Sequence, residues 1–251
     1  MVHPALRSVA HRPWPIPQRA WSWRQSWCDL LLAHWRVDVD AVRALVPPPL
    51  VVEEREGSAW IGMTPLRLRD VAHRPFPEPP GLSSYTALGL QVCVACEGRS
   101  GSLVLGLDLD GRLGVWAARR LLQLPATRAR MHADIAPDGV RYRSVRERST
   151  TPAVFDAVYR ATSPPFEAKV GSLEHWLAER YCLYARGAEG ALFRIDLHHA
   201  PWPLQRAEAI VHENDLFRAH GVPEPQEPAL VSFVRRLDVL LWSPERIGVA
   251  S

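Results

Sequence analysis

Gly171-Ser-Leu-Glu-His-Trp-Leu-Ala-Glu-Arg-Tyr-Cys-Leu-Tyr184, followed by Asp196-Leu-His-His-Ala-Pro-Trp-Pro-Leu-Gln-Arg-Ala-Glu208, is the stretch that decides the fold. Few unrelated sequences would set two such Trp- and His-bearing blocks so close together. Ser172 begins a helix, because Ser172-Leu-Glu-His175 approximates a capping box, with His in place of the Glu or Gln that would complete it. That helix should run to about Arg180. The second block opens inside an extended run, Leu192 to His198, and further extended runs follow at 207–212 and 229–241.

Working outward toward the N-terminus, the same extended reading recurs. Cys28 to Val37 is an apolar run bounded by polar residues and reads as a strand. Asp38 or Asp40 caps a short helix, Ala41 to Val46, which Pro47-Pro48-Pro49 ends. Ala59 to Arg69 reads as a strand in which Pro65 implies a sheet edge or a bulge. Four prolines between His73 and Gly81 make a loop. Tyr85–Cys96 and Leu103–Leu109 are strands joined across Glu97–Gly101 as a hairpin. Leu113 to Leu124 is the clearest helix, with Val115, Ala118, Leu121 and Leu122 on one face and Pro125 as its stop. Strands at Arg128–Ile135 and Val140–Glu147 flank Ala-Pro-Asp-Gly139, a turn in which Pro presets one φ and Gly permits a positive one. Another strand spans Val154–Thr162.

The sum is about ten strands and two or three short helices. Connections are too short for many parallel crossovers, so a mainly β fold follows: an antiparallel sheet closed into a barrel. Residues 1–20, with prolines at 4, 13, 15 and 17, read as an irregular arm, and 21–251 as a single domain.

Composition narrows the function. The chain holds 251 residues with 47% hydrophobic and 23% charged content, ordinary for a globular protein. Its net charge of +3 is too mild to imply nucleic acid. No run of 18 apolar residues suggests a membrane span, and the N-terminus lacks a signal-peptide core. A cytoplasmic location is the expectation. Ten tryptophans serve either as core packing or as an aromatic ligand platform. Cys93-Val-Ala-Cys96 has redox or half-zinc spacing, but it sits in an apolar run with no second pair, so it reads as buried hydrophobes. Of 30 Lys and Arg residues only Lys169 is a lysine.

Trp27–Val37, Ala117–Pro125, the 171–184 block, His199–Leu204 and Arg235-Arg-Leu-Asp-Val239 resemble, in order, the YqjF-like uncharacterised family, grouped with the acetoacetate decarboxylase-like superfamily. The resemblance extends from about Trp23 to Trp242. It implies a β-barrel around an internal cavity, often in a dimer or larger assembly, and no settled activity.

Acetoacetate decarboxylases use a lysine amine that condenses with a β-keto acid, and the iminium accepts the electrons released as carbon dioxide leaves. A guanidinium cannot replace that amine, because it stays protonated and delocalised. The superfamily's paired lysines follow the central helix, where this chain has Pro125-Ala-Thr-Arg-Ala-Arg-Met131. Lys169 lies in a polar loop. YqjF-like relatives often carry Glu-x-Asn-x-Arg on the hairpin strand, at positions that correspond here to Ala87, Gly89 and Gln91. Alternate residues share a strand face, so one face would become more apolar together.

Three functions remain open on these residues. One is a cavity that binds a small organic acid or carbonyl compound without Schiff-base chemistry, with Arg128 and Arg130 as an anion clamp and His34 and Trp202 as further ligand-binding candidates. Another is a lyase or hydratase with Tyr181, Arg180 and His199 as acid–base groups. The last is a scaffold whose barrel is filled with side chains. Arg180 and Tyr181 also have a purely structural reading, an internal ion pair and a packed ring. His34, His198 and His199 show no metal-binding pattern, so no metal and no cofactor is expected.

Overall fold

In the computed structural model, which describes residues 3–78, 83–146, 151–187, 189–225 and 230–248, the run after the Pro-rich arm forms one long strand, β1 (Trp23–Val37). Helix α1 (Val39–Arg43) follows, and the Asp38 side chain caps it by accepting from the backbone N–H groups of Asp40 and Ala41. Next come β2 (Val51–Val52), β3 (Ala59–His73), β4 (Tyr85–Cys96) and β5 (Arg99–Leu109). The β4–β5 hairpin is tighter than its composition suggests. Only Glu97 and Gly98 lie outside the ladder, both with positive φ (52° and 73°), as a two-residue primed turn demands.

Helix α2 (Arg112–Leu121) leads to β6 (Ala126–Arg128), β7 (Arg130–Ala136), β8 (Gly139–Arg146) and β9 (Ala153–Ala161). Helix α3 (Leu173–Ala178) begins where the capping signal places it, because the Ser172 hydroxyl accepts from the His175 backbone N–H at 3.2 Å. It stops at Ala178, two residues short of Arg180. The remaining elements are β10 (Cys182–Arg186), β11 (Leu192–His198), β12 (Gln205–Asn214), α4 (Leu216–Ala219), β13 (Leu230–Leu241) and β14 (Glu245–Ile247).

The described residues thus hold fourteen strands and four α-helices, against about ten and two or three expected. The extra strands include β2, β6 and β14, of two or three residues each, too short to show a period of two. The α2 helix ends at Leu121 rather than Leu124. The 229–241 and 140–147 runs and the loop to Gly81 each touch residues outside the described set.

Strands β11, β10, β5, β4, β3, β1 and β13 lie side by side, and β13 pairs back onto β11 through Leu197↔Leu241 and His198↔Leu240. The result is a ring of strands, mainly antiparallel, from which β12, β9, β8 and β7 continue as an extension of the sheet. Parallel pairs occur at β5–β10 and β5–β6. Pro65 lies in a central strand, between β1 and β4. Of the two expectations for it, the bulge applies. Pairing of β1 with β3 is interrupted between Cys28 and Ala33, where Asp29 has φ 48°, so no ladder bond is asked of the proline nitrogen.

Alternation along the strands separates two cores. On β1, Leu31, Ala33 and Trp35 join one cluster with Leu88, Leu90 and Phe155, while Leu30 and Leu32 join another with Val115, Leu197 and Leu237. Burial on both faces explains why β1 reads as an unbroken apolar run. On β4 the even residues from Leu88 to Val94 enter the first cluster, which leaves Ala87, Gly89 and Gln91 on the opposite face. Cys93 and Cys96 belong to different clusters, so the CxxC spacing builds no joint site.

Candidate functional site

The face that carries Ala87, Gly89 and Gln91 lines a cavity of about 370 Å³ inside the ring. Strands β1, β3, β4 and β5 supply its walls and α2 lies across one end. A volume of this size falls in the range of small-molecule sites. The ring is therefore not filled by its own side chains. A Cβ built on Gly89 would meet nothing within 4 Å, so the wall there opens directly onto space.

Arg180 is the single Arg, Lys, Asp or Glu side chain among the lining residues. It lies just beyond α3 and is 6% exposed. Its Nη1 donates to a Glu53 carboxylate oxygen and to the Gly101 carbonyl, the latter at 3.0 Å. The Trp176 ring covers the guanidinium at 4.4 Å. Burial alone would lower its pKa, but Cys93 and Glu53 outweigh that and hold it above its ordinary value. Nε and Nη2 are buried and have no hydrogen-bond partner among the described residues. These two N–H groups form one edge of the guanidinium, the edge that grips a carboxylate with two parallel bonds.

The other donors lacking partners near the cavity are indoles. Trp27 and Trp202 both line it, their rings lie 5.9 Å apart, and each Nε1 is buried and unpartnered among the described residues. Three lining residues therefore hold unused donors, and an unmade buried hydrogen bond costs about 1–3 kcal/mol each.

His34 sits next to this wall. Its strand position faces Gly62, which faces Gln91. A Cβ on Gly62 would come within 3.2 Å of both the His34 ring and Gln91 Nε2. Burial, and then the Arg180 charge, push the His34 pKa down to about 3, so the ring is neutral at ordinary pH.

Tyr181 and His199 lie elsewhere. Neither lines the cavity. Their rings stack at 4.6 Å, Tyr181 donates to Glu179, and the N-terminal arm closes over them, with the Arg12 guanidinium 4.5 Å from the Tyr181 ring. His198 Nε2 lies 2.8 Å from the Ala5 carbonyl, a second tie to the arm. The Tyr181 hydroxyl pKa is raised, first by burial and then by Glu179. Arg128 and Arg130 are exposed and do not line the cavity. Ala129, between them, is the buried residue of the three. Lys169 is exposed too and absent from the cavity wall.

Of the sequence candidates, the fold thus brings Arg180 and Trp202 to the cavity and His34 beside it. It separates Tyr181 and His199 from them, and leaves Arg128 and Arg130 off the cavity wall. Glu53, Trp27 and the α2 face escaped the sequence reading. Glu53 follows a two-residue strand, and nothing in its local pattern marks it as the partner of a residue 127 positions away. No group of three His, Cys, Asp or Glu among the described residues is placed to hold a metal ion. No helix among them is long and apolar enough to cross a membrane.

Residues 24–238 match the family model for uncharacterized conserved proteins known as DUF2071. The chain is 40% identical over 227 residues to the uncharacterized protein YqjF of Bacillus subtilis (strain 168), covering 90% of this chain and 93% of that protein. Solved structures share the fold at low identity. Acetoacetate decarboxylase from Legionella pneumophila subsp. pneumophila str. Philadelphia 1 matches with a TM-score of 0.63 and 15% identity, over 98% of this chain and 96% of that one. The enduracididine biosynthesis enzyme MppR, complexed with the condensation product of pyruvate and imidazole 4-carboxaldehyde, matches with a TM-score of 0.65 and 14% identity, over 92% and 90%.

Proposed function

The chain belongs to the DUF2071 family of uncharacterized conserved proteins, and we propose that its cavity binds a small organic acid or carbonyl compound without Schiff-base chemistry. The observation that carries this reading is the buried Arg180 guanidinium, whose Nε–Nη2 edge lacks partners among the described residues, on a residue that lines the cavity. A carboxylate would take both N–H groups, and a carbonyl oxygen would take one. Glu53, Gly101 and Trp176 already fix the guanidinium, so little side-chain freedom is lost on binding. The unused indole donors of Trp27 and Trp202 favour an acceptor-bearing ligand as well. A structural neighbour, MppR, is complexed with pyruvate, an acid of this class.

Schiff-base chemistry lacks its amine here, because the one lysine, Lys169, is exposed and off the cavity wall. In this reading the ligand is held by hydrogen bonds, the Arg180 charge and burial. The experiment has two arms. A panel of pyruvate, acetoacetate and 2-oxobutyrate should raise the thermal midpoint of the protein. Borohydride reduction in the presence of acetoacetate should leave the intact mass unchanged. No thermal shift with any acid would count against the cavity as an acid site, and an adduct on Lys169 would overturn the non-covalent reading.

A further inference from the structure

The cavity is polar at one end and apolar at the other. Gln91, Ser102 and Arg180 mark the polar end. Along β4 the lining continues through Gly89 and Ala87 to Tyr85, six residues from Gln91, or roughly 20 Å of strand. Tyr85 adjoins α2, since a Cβ on Gly111 or Gly114 would lie within 2.9 Å of its ring. At this end the rim is apolar and wet. Leu113, Trp116 and Leu121 of α2 are 44%, 53% and 41% exposed, and Phe76 is 68% exposed, yet all four line the cavity. Gln25 and His73 are the polar residues near them.

Isolated exposed hydrophobes need no explanation, but four gathered on one cavity rim mark a binding surface. A ligand the size of pyruvate would engage Arg180 and leave this rim in water. Resting on the acid-binding reading, we propose that the ligand is a monocarboxylate with an apolar tail, its head at Arg180 and its chain running along β4 to the α2 rim. Arg180 is the one Arg or Lys among the lining residues, and the Nε–Nη2 edge that its pairing with Glu53 leaves open takes one carboxylate. Between the ends the walls are mostly carbon, with the Trp27 and Trp202 indole N–H groups among the exceptions, and they select methylene or aromatic carbon.

The test is calorimetry on the full chain with acetate, butyrate, hexanoate and octanoate, each below its micellar concentration, with pyruvate and 1-octanol alongside. Kd should fall roughly tenfold for each two methylenes added from butyrate to octanoate. Octanoate should bind more tightly than 1-octanol. Replacing Leu113 and Trp116 together by Ser should weaken octanoate and leave pyruvate unchanged. A flat response to chain length while pyruvate binds would overturn the tail but keep the acid site. Equal binding of 1-octanol and octanoate would overturn the assignment of the head to Arg180. Failure of every acid would overturn both proposals.

Discussion

Replacing Gly89 by valine should stabilise the protein and weaken octanoate binding together. Gly89 is in the middle of β4, paired with Thr64 and Leu107, and a Cβ there meets nothing within 4 Å. Its added side chain would enter the cavity without a clash. Removing a strand-interior glycine is worth roughly 0.5–1 kcal/mol, through lost freedom of the unfolded chain. Partial burial of the valine carbons against the apolar wall adds about 1–1.5 kcal/mol, half or so of the value for full burial. The sum is about 2 kcal/mol, which for a chain this long raises the thermal midpoint by roughly 4–8 °C. The side chain would also obstruct the path between Arg180 and the α2 rim, so octanoate affinity should drop at least tenfold. Thermal unfolding and calorimetry on the same sample read both effects. A variant less stable than the parent would refute the open space at Gly89, and a stable variant with full octanoate affinity would refute the cavity as the binding site.

Arg180→Gln should cost about 3 kcal/mol in urea unfolding, because it strips Glu53 of its charged partner, although Ser100 still donates to Glu53 at 2.6 Å. Adding Glu53→Gln should recover part of that loss without restoring acid binding, and full recovery of binding would contradict the role given to the guanidinium. Acid should unfold the protein through its buried histidines. Burial first, then Arg180, holds His34 at about 3, and burial first holds His198 and His220 at about 4, against an ordinary 6.5. These rings are neutral in the folded state where the unfolded chain takes up protons, so their stability contribution is whole above pH 6.5 and lost as pH falls toward the folded values. For the fully buried His34 the loss approaches about 1.4 kcal/mol per pH unit. His34→Asn should flatten the urea-midpoint profile between pH 6 and pH 4, and an unchanged slope would show that His34 is protonated in the folded protein. Gly62→Ala should displace His34 or Gln91, each 3.2 Å from the new methyl, and lower acid affinity without unfolding the chain, as calorimetry and thermal unfolding would show.

The strands that alternate or run apolar for several residues were legible from pattern alone, as Tyr85–Cys96 and Leu192–His198 show by matching their observed limits. Closure into a ring was expected from the strand count and the short connections, but the strands that close it were not, because closure depends on two residue pairs between β11 and β13, distant in sequence. Within the site, Arg180 stood out by its Trp- and Glu-bearing context. Its pairing with Glu53 did not, since long-range ion pairs leave no periodic trace. Arg128 and Arg130, read from the sequence as an anion clamp, are exposed and lie off the cavity wall, a placement their local pattern did not reveal.

The most direct measurement is a crystal structure of the protein grown with 2-oxohexanoate, which carries a carboxylate, a carbonyl and a short apolar chain. The carboxylate is expected within hydrogen-bond distance of Arg180 Nε and Nη2, with the chain directed along β4 toward α2 and no covalent bond to protein. Ligand density elsewhere on the molecule, or joined to Lys169, would contradict this placement.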